Sequence, residues 1–436
     1  MIQSFLNMGR ARTVKSIAAR LATRLNGEAN KLSFEDRSVH DWYRFVLSFP
    51  PHLVRTYLSR FGVTENQRVL DPFCGTGTTI VECKKLGIPS LGIEAHPMTA
   101  FASRVKSDWT IDPAGLGNDA RRVAGIAEQK IKNGKVDFEL PPDAEKILLR
   151  DSISPRPLKK ALAILAALEE AGDPRFRNHE FLALAKTLVS TASNLNFGPE
   201  VGVGKIKNDA PVVLSWLENI RVMRHDILKL KDRAAISSQI SQDDSREMVN
   251  KLESISINAV ITSPPYPNEK DYTRTTRLES VILGFISNRK ELQNLKRKLI
   301  RSNTRTIYKD DSDAAHIDNF PQISMLADKI EARRVELKKT SGFERLYASV
   351  TKQYFGGMAR HLANLRQALA PGACLAYVVG DQASFFRIMI KTGELLSQIA
   401  VSLGYELIGI DLFRTRLSTA TRSQLREEIV VLRWPG

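Results

Sequence analysis

Residues able to do chemistry gather at two places far apart in this 436-residue chain. One is Thr262-Ser263-Pro264-Pro265-Tyr266, which follows the apolar run Ile257-Asn258-Ala259-Val260-Ile261. The run reads as a short buried strand that the prolines bring to an end. Paired prolines fix the backbone and remove two amide donors, so the carbonyls there are free to accept hydrogen bonds. The Ser263 hydroxyl can donate or accept, and the Tyr266 ring supplies a flat stacking surface. A rigid, acceptor-lined notch beside an aromatic plate suits a planar heterocycle carrying an exocyclic amine. Pro-Pro-Tyr also occurs in proline-rich ligands and ordinary turns, so this stretch by itself leaves both readings open.

The other place is Arg68-Val69-Leu70-Asp71-Pro72-Phe73-Cys74-Gly75-Thr76-Gly77-Thr78-Thr79. It reads as a strand, a glycine-rich turn and a helix running through Ile80 to Leu86. Gly75 and Gly77 let the backbone approach a ligand closely, and the helix start presents free amides. A second strand, Ser90-Leu91-Gly92-Ile93, ends in Glu94. An acid about 20 positions past the glycines is placed to take the ribose hydroxyls of a nucleoside cofactor. The third glycine of the dinucleotide fingerprint is absent.

The string Asp71 to Thr79 resembles the first motif of S-adenosylmethionine-dependent methyltransferases, in a form shared by DNA amino-methyltransferases and some tRNA guanine methyltransferases. Ser263 to Tyr266 looks like the fourth motif of the DNA amino-methyltransferases, which methylate N4 of cytosine or N6 of adenine. The resemblance implies S-adenosylmethionine as cofactor, held by Asp71, Pro72, Phe73, Gly75, Thr76, Gly77, Thr78 and Glu94. The segment Trp42 to Pro51 looks like the family motif that closes over the methionine end, which adds Phe49 and Pro50; an apolar lead-in to the first strand would look alike. In Gln242-Asp243-Asp244-Ser245-Arg246-Glu247 the family places an acid that accepts from the cofactor's adenine amine. Asp244 is the expected one, with a solvated acidic turn as the plain alternative.

The same resemblance makes Ser263, Pro264, Pro265 and Tyr266 the catalytic set. The amine would bond to the Ser263 side chain and the Pro264 carbonyl, while Tyr266 stacks on a base swung out of the duplex. Its lone pair would attack the sulfonium methyl in line, with no metal and no covalent intermediate required. A leading Ser is commoner in cytosine-N4 enzymes, so N4 of cytosine is the expected target. Adenine N6, an RNA base methyltransferase and a non-catalytic DNA-binding subunit with a methyltransferase fold are the alternatives. Methylation at carbon-5 of cytosine needs a presented thiolate, and neither Cys74, inside the turn, nor Cys374, mid-strand, fits that role.

The elements that must hold these motifs imply an α/β fold. The expected architecture is a Rossmann-like class I methyltransferase sheet, mostly parallel with an antiparallel C-terminal strand pair, interrupted by a helical insertion and a second, basic insertion. The expected boundaries are a basic N-terminal arm (1–37), core (38–115), helical insertion and candidate target-recognition region (116–235), core with the catalytic motif (236–286), basic insertion (287–345) and C-terminal core (346–436). Roughly 145 residues separate Glu94 from the Asp243-Asp244 turn, far more than a crossover needs. Helices are expected over Leu158–Leu168, Phe181–Ser193 and Val213–Leu230, with a glycine-rich loop Asn194–Lys207 between the last two. Toward the C-terminus, a helix should end near Ala370-Pro371-Gly372, followed by a strand Ala373–Asp381, a helix from about Ile388 to Leu403, and strands Tyr405–Ile410 and Glu428–Arg433. Arg414 to Arg422 reads as a basic loop facing substrate.

A net charge of +16 and a pI near 9.7 imply a polyanionic partner. Double-stranded DNA is the expected one, with a cognate restriction endonuclease or other defence-system subunit as a further candidate. Lys296, Arg297, Lys298, Arg301 and Arg305 crowd a segment with one apolar stripe, and with Arg414 and Arg416 they are the expected DNA contacts. Three cysteines without ligand spacing argue for a reducing compartment and against structural zinc. No apolar run reaches membrane-spanning length, so a cytoplasmic, nucleoid-associated prokaryotic protein is expected; residues 1–27, Arg-rich and short of acids, read as a basic amphipathic arm.

Overall fold

The computed structural model describes residues 32–44, 48–134, 139–197, 200–247, 256–417 and 424–436. Most of the expected basic arm, and residues 418–422 of the expected basic loop, lie outside the described residues.

Helix α1 (Pro51–Phe61) leads to strand β1 (Val69–Asp71), helix α2 (Thr78–Lys85), strand β2 (Ser90–Ile93) and helix α3 (Pro97–Lys106). The first insertion holds α4 (Pro113–Asn133), α5 (Pro155–Ala171), α6 (Arg177–Thr187), a small hairpin of β3 (Leu195–Phe197) and β4 (Val201–Val203), and α7 (Val212–Leu230). Strands β5 (Ser238–Ser241) and β6 (Ile257–Thr262) follow, then α8 (Arg289–Lys298), α9 (Pro321–Glu336) and α10 (Tyr347–Leu365). The chain ends with β7 (Leu369–Gly380), α11 (Thr392–Ser402), β8 (Glu406–Leu417) and β9 (Gln424–Arg433).

Among the described residues, seven strands form one sheet in the order β5-β2-β1-β6-β7-β9-β8. The first five run parallel, and β9 lies antiparallel to both β7 and β8. This is the class I methyltransferase sheet. Its strand order reverses between β1 and β6, which pair at Val69–Ala259 and Leu70–Val260. In open α/β sheets a crevice forms at that reversal, outside the carboxyl ends of the strands. The glycine turn leaves the end of β1 and the Ser-Pro-Pro-Tyr turn leaves the end of β6, so adjacent parallel strands deliver both to one crevice.

Three sequence expectations need correction. Ala370-Pro371-Gly372 does not end a helix: Leu369 already pairs with Ile257, and the register slips before Ala259 meets Cys374. Pro371 has no N–H for the ladder, so it is tolerated at that irregularity. The following helix starts at Thr392 rather than near Ile388, because Phe386 and Arg387 turn the chain with φ of 51° and 64°. Arg414 and Arg416 belong to strand β8, opposite Glu427 and Leu425, and not to a loop.

The helical insertion shares one core with the cofactor half. Trp42, Val81, Met98 and Trp109 pack in the same cluster as Leu182, Trp216, Met223 and Leu278. The segment before α1 is tied down too: Asp226 of α7 accepts from the Val39 amide and the Trp42 indole, each at 2.8 Å. The expected glycine-rich loop Asn194–Lys207 is built around the β3–β4 hairpin.

Candidate active site

Both motifs open onto a single cavity of about 280 Å³. Ser48, Phe49, Pro72, Phe73, Gly75, Thr76, Thr78 and Glu94 form one side; Ser263, Pro264, Pro265 and Tyr266 form the other. Pro50, Asp71 and Gly77 do not line it, and each has a supporting place instead. Pro50 caps the start of α1. Gly77 takes φ 84°, and a Cβ there would stand 2.5 Å from the Ser103 Oγ, so only glycine lets the turn pack on α3. Lys106, fully buried on α3, donates to the Thr76 carbonyl at 2.8 Å and holds the turn from behind. Burial drops its pKa to about 7, with Lys85 and Arg44 adding to the effect.

Asp71 ties the ends of β1 and β6 together. Its Oδ1 accepts from the Thr262 hydroxyl at 2.5 Å and from the Phe73 amide at 3.1 Å. Glu94 accepts from the Gly75 amide and the His96 amide, both at 2.8 Å. Burial pushes Asp71 up to about 6 and Glu94 up to about 7. Glu94, a desolvated carboxylate on the cavity wall with no ion pair among the described residues, suits a ligand that brings hydroxyls and positive charge. S-adenosylmethionine brings both, and the residues present fit it.

The expected acid of the third wall shifts by one position. Asp244 does not reach the cavity: its carboxylate is engaged by Arg246, with Nη2 at 2.6 Å and Nε at 3.0 Å. Arg246 in turn binds Asp313 and the Arg297 carbonyl. Asp243 and Ser245 line the cavity on either side. Adjacent residues in an extended turn point opposite ways, so the sequence offered two acids and the fold turned the other one inward.

At the catalytic motif, Ser263 Oγ donates to the Val378 carbonyl of β7 at 3.1 Å. With its single proton directed there, the oxygen keeps its lone pairs as acceptors. The Tyr266 ring lies against Gly380, where an added Cβ would come within 3.0 Å of Cε2. Its amide donates to the Tyr272 hydroxyl at 3.3 Å. Burial, then the nearby Glu427 charge, pushes the Tyr266 phenol well up, so it stays neutral.

The expected DNA-contacting cations separate into four groups. Lys296 is turned inward and pairs with Asp271 at 2.8 Å. Arg301 is buried: it pairs with Asp311 at 2.7 Å and caps the carbonyls of Lys296, Arg297 and Leu299 at the end of α8. Neither can reach a phosphate, because a buried acid or helix end already holds each. Arg297 is exposed but pairs with Asp310 at 2.6 Å and stacks on Tyr308. Lys298 and Arg305 are exposed, and Lys298 lines the cavity. Arg414 and Arg416 line it as well, with Arg414 held by Glu427 at 2.6 Å.

Sequence reasoning missed Ser48, His96, Asn268, Lys270, Tyr272, Asn303 and Glu427, all of which line the cavity. Glu427 was traceable in principle, since it faces Arg414 across the hairpin. The others come from segments whose approach depends on tertiary packing. Among the described residues no helix is long and apolar enough to cross a membrane.

Comparison with known proteins agrees with this geometry. The N6/N4 methyltransferase family, described as DNA methylase, matches residues 26–100. The type II methyltransferase M.BsoBI of Geobacillus stearothermophilus is 24% identical over 458 residues, covering 93% of this chain and 85% of that protein. The type II methyltransferase M.AvaI of Anabaena variabilis is 24% identical over 452 residues, covering 94% and 88%. Among solved structures, the rRNA methyltransferase aviRa from Streptomyces viridochromogenes aligns with a TM-score of 0.34 at 11% identity, covering 92% and 94%, a likeness too loose to build on. The fold and cavity define a methyltransferase that uses S-adenosylmethionine. The family match and the type II relatives support an amino-methyltransferase of the N4/N6 DNA methylase family.

Proposed function

We propose that this protein methylates the exocyclic amine of a base in double-stranded DNA, N4 of cytosine before N6 of adenine, at a specific sequence. The observation that carries the reading is the shared cavity between the glycine turn and Ser263–Tyr266. S-adenosylmethionine, when bound, supplies an electrophilic methyl group. Phe49, Phe73, Thr76, Thr78, Glu94 and Asp243 are the residues placed to hold it, with Asp71 and Gly77 supporting the turn. The protein's own part is positioning and desolvation. An amine conjugated to a ring is a poor nucleophile; acceptance of its hydrogens by Ser263 Oγ and the Pro264 carbonyl favours a tetrahedral nitrogen with a directed lone pair. Alignment of that kind can contribute on the order of 7–11 kcal/mol. Tyr266 offers its face to an extruded base, offsetting part of a flipping cost of a few kcal/mol. The leading Ser263 is what favours cytosine.

The test is incubation of the protein with labelled S-adenosylmethionine and unmethylated mixed-sequence DNA or RNA, followed by nucleoside mass spectrometry. N4-methylcytosine in DNA is the expected product. N6-methyladenine would replace the cytosine assignment, and label in RNA alone would overturn the DNA reading. Ser263→Ala should abolish transfer while calorimetry shows nearly unchanged cofactor binding.

A further inference from the structure

The loop that carries Tyr266 into helix Tyr272–Thr275 is held in an unusual way. Glu269 adopts φ 64°, a left-handed conformation that a residue with a Cβ rarely takes. Such strain persists only where the surroundings over-determine it. Here the surroundings are the segment just after α8. The Glu269 carboxylate accepts from the Thr304 amide at 3.0 Å and from the Thr304 hydroxyl at 2.8 Å. On either side, the Asn268 amide donates to the Ser302 carbonyl at 3.1 Å and the Asn303 side chain donates to the Lys270 carbonyl at 3.1 Å. Lys296 closes the far end on Asp271.

The bracket is anchored behind as well. Residues 297–313 are joined to the Asp244 turn through Arg246, which reaches both the Arg297 carbonyl and Asp313. Gly356 of α10 lies so close that a Cβ there would overlap the Asp313 carbonyl at 2.0 Å. The same stretch contributes Lys298, Ser302, Asn303 and Thr306 to the cavity wall. One rigid piece therefore touches the Ser245 side of the cavity and the Tyr266 side together.

We propose that Glu269, clamped by Thr304, is a positioning residue for methyl transfer: it holds the Tyr266–Tyr272 loop in the conformation that shapes the base side of the cavity. The inference rests on the amine-methylation reading for its catalytic consequence, while the clamp itself is testable without turnover. Glu269→Ala, Glu269→Gln, Glu269→Gly and Thr304→Val would be compared with the wild type by hydrogen exchange, cofactor calorimetry and steady-state methylation of mixed-sequence DNA. Faster exchange is expected at the amides of 266–272 in Glu269→Ala, with peptides covering 75–94 protected as in the wild type. In the same variant kcat should fall about tenfold to a hundredfold while the S-adenosylmethionine Kd stays within about twofold. Glu269→Gln, whose amide oxygen still accepts from Thr304, should recover most of the rate. Glu269→Gly relieves the backbone but lacks the carboxylate, and should remain as slow as Glu269→Ala. Unchanged exchange at 266–272, full activity in Glu269→Gly, or a cofactor Kd that weakens in step with kcat would each overturn the clamp. Loosened exchange in a protein whose wild type methylates nothing would keep the clamp and sink the proposed reaction instead.

Discussion

Both insertions are anchored in apolar cores, and the second is in addition pinned by buried charge. The first, between α3 and β5, is a helical layer whose leucines, alanines and Trp216 merge with the apolar core of the cofactor half. The second, after β6, sends Ile300, Ile317, Ile323 and Ile330 into the apolar core of the C-terminal half, adds a small cluster of Ile286, Leu292 and Leu295, and is pinned beside the cavity by charge. Lys296–Asp271, Arg301–Asp311 and Arg246–Asp313 are all buried pairs. Apolar contacts are non-directional and tolerate small slips, whereas buried ion pairs demand fixed geometry. The first insertion is suited to mass and support, and the ion-paired stretch of the second to setting the shape of a cavity wall.

The largest expected effect breaks the charged side of this contrast. Arg301→Leu leaves Asp311 buried without its partner and should destabilise the fold by about 3–5 kcal/mol in urea denaturation. It should leave the salt dependence of DNA binding unchanged; a flatter salt slope would show that Arg301 touches phosphate after all. On the apolar side, Leu182→Ala removes a fully buried side chain and should cost about 2–5 kcal/mol. Its loss should appear in global stability with cofactor affinity preserved below the transition. A selective loss of DNA binding would instead make the helical layer a reading surface.

The smallest expected effect on stability sharpens the division among cations. Lys298→Gln and Arg305→Gln should change stability by no more than about 0.5 kcal/mol. Each should lower the slope of log K against log salt by about 1, weakening binding to all sequences alike. Lys296→Gln should show the reverse pattern, with stability lost and the slope retained.

Legibility differed sharply between these regions. The strand Ser90–Ile93 and the helix starting at Val212 were readable because apolar periodicity and local stops act over a few residues. The charge run at 289–305 was readable as basic but not as internal. Periodicity placed Leu292 and Leu295 inward, yet nothing local told that Asp271, Asp310 and Asp311 would meet Lys296, Arg297 and Arg301. Asp244 failed for a related reason: Arg246, two residues on, engages it and leaves Asp243 to the cavity.

By itself the sequence determined the chemistry available: a glycine turn that admits a nucleoside cofactor, a proline-stiffened acceptor notch, and an aromatic plate. Those follow from side-chain type and backbone restriction, which are local properties. Only the tertiary structure decided that the two turns share one crevice, since that depends on β1 and β6 pairing across the reversal of strand order. It also decided which cations remain free for a phosphate. A charge is claimed by whichever opposite charge the fold brings within reach, and that choice is made between residues far apart in the chain.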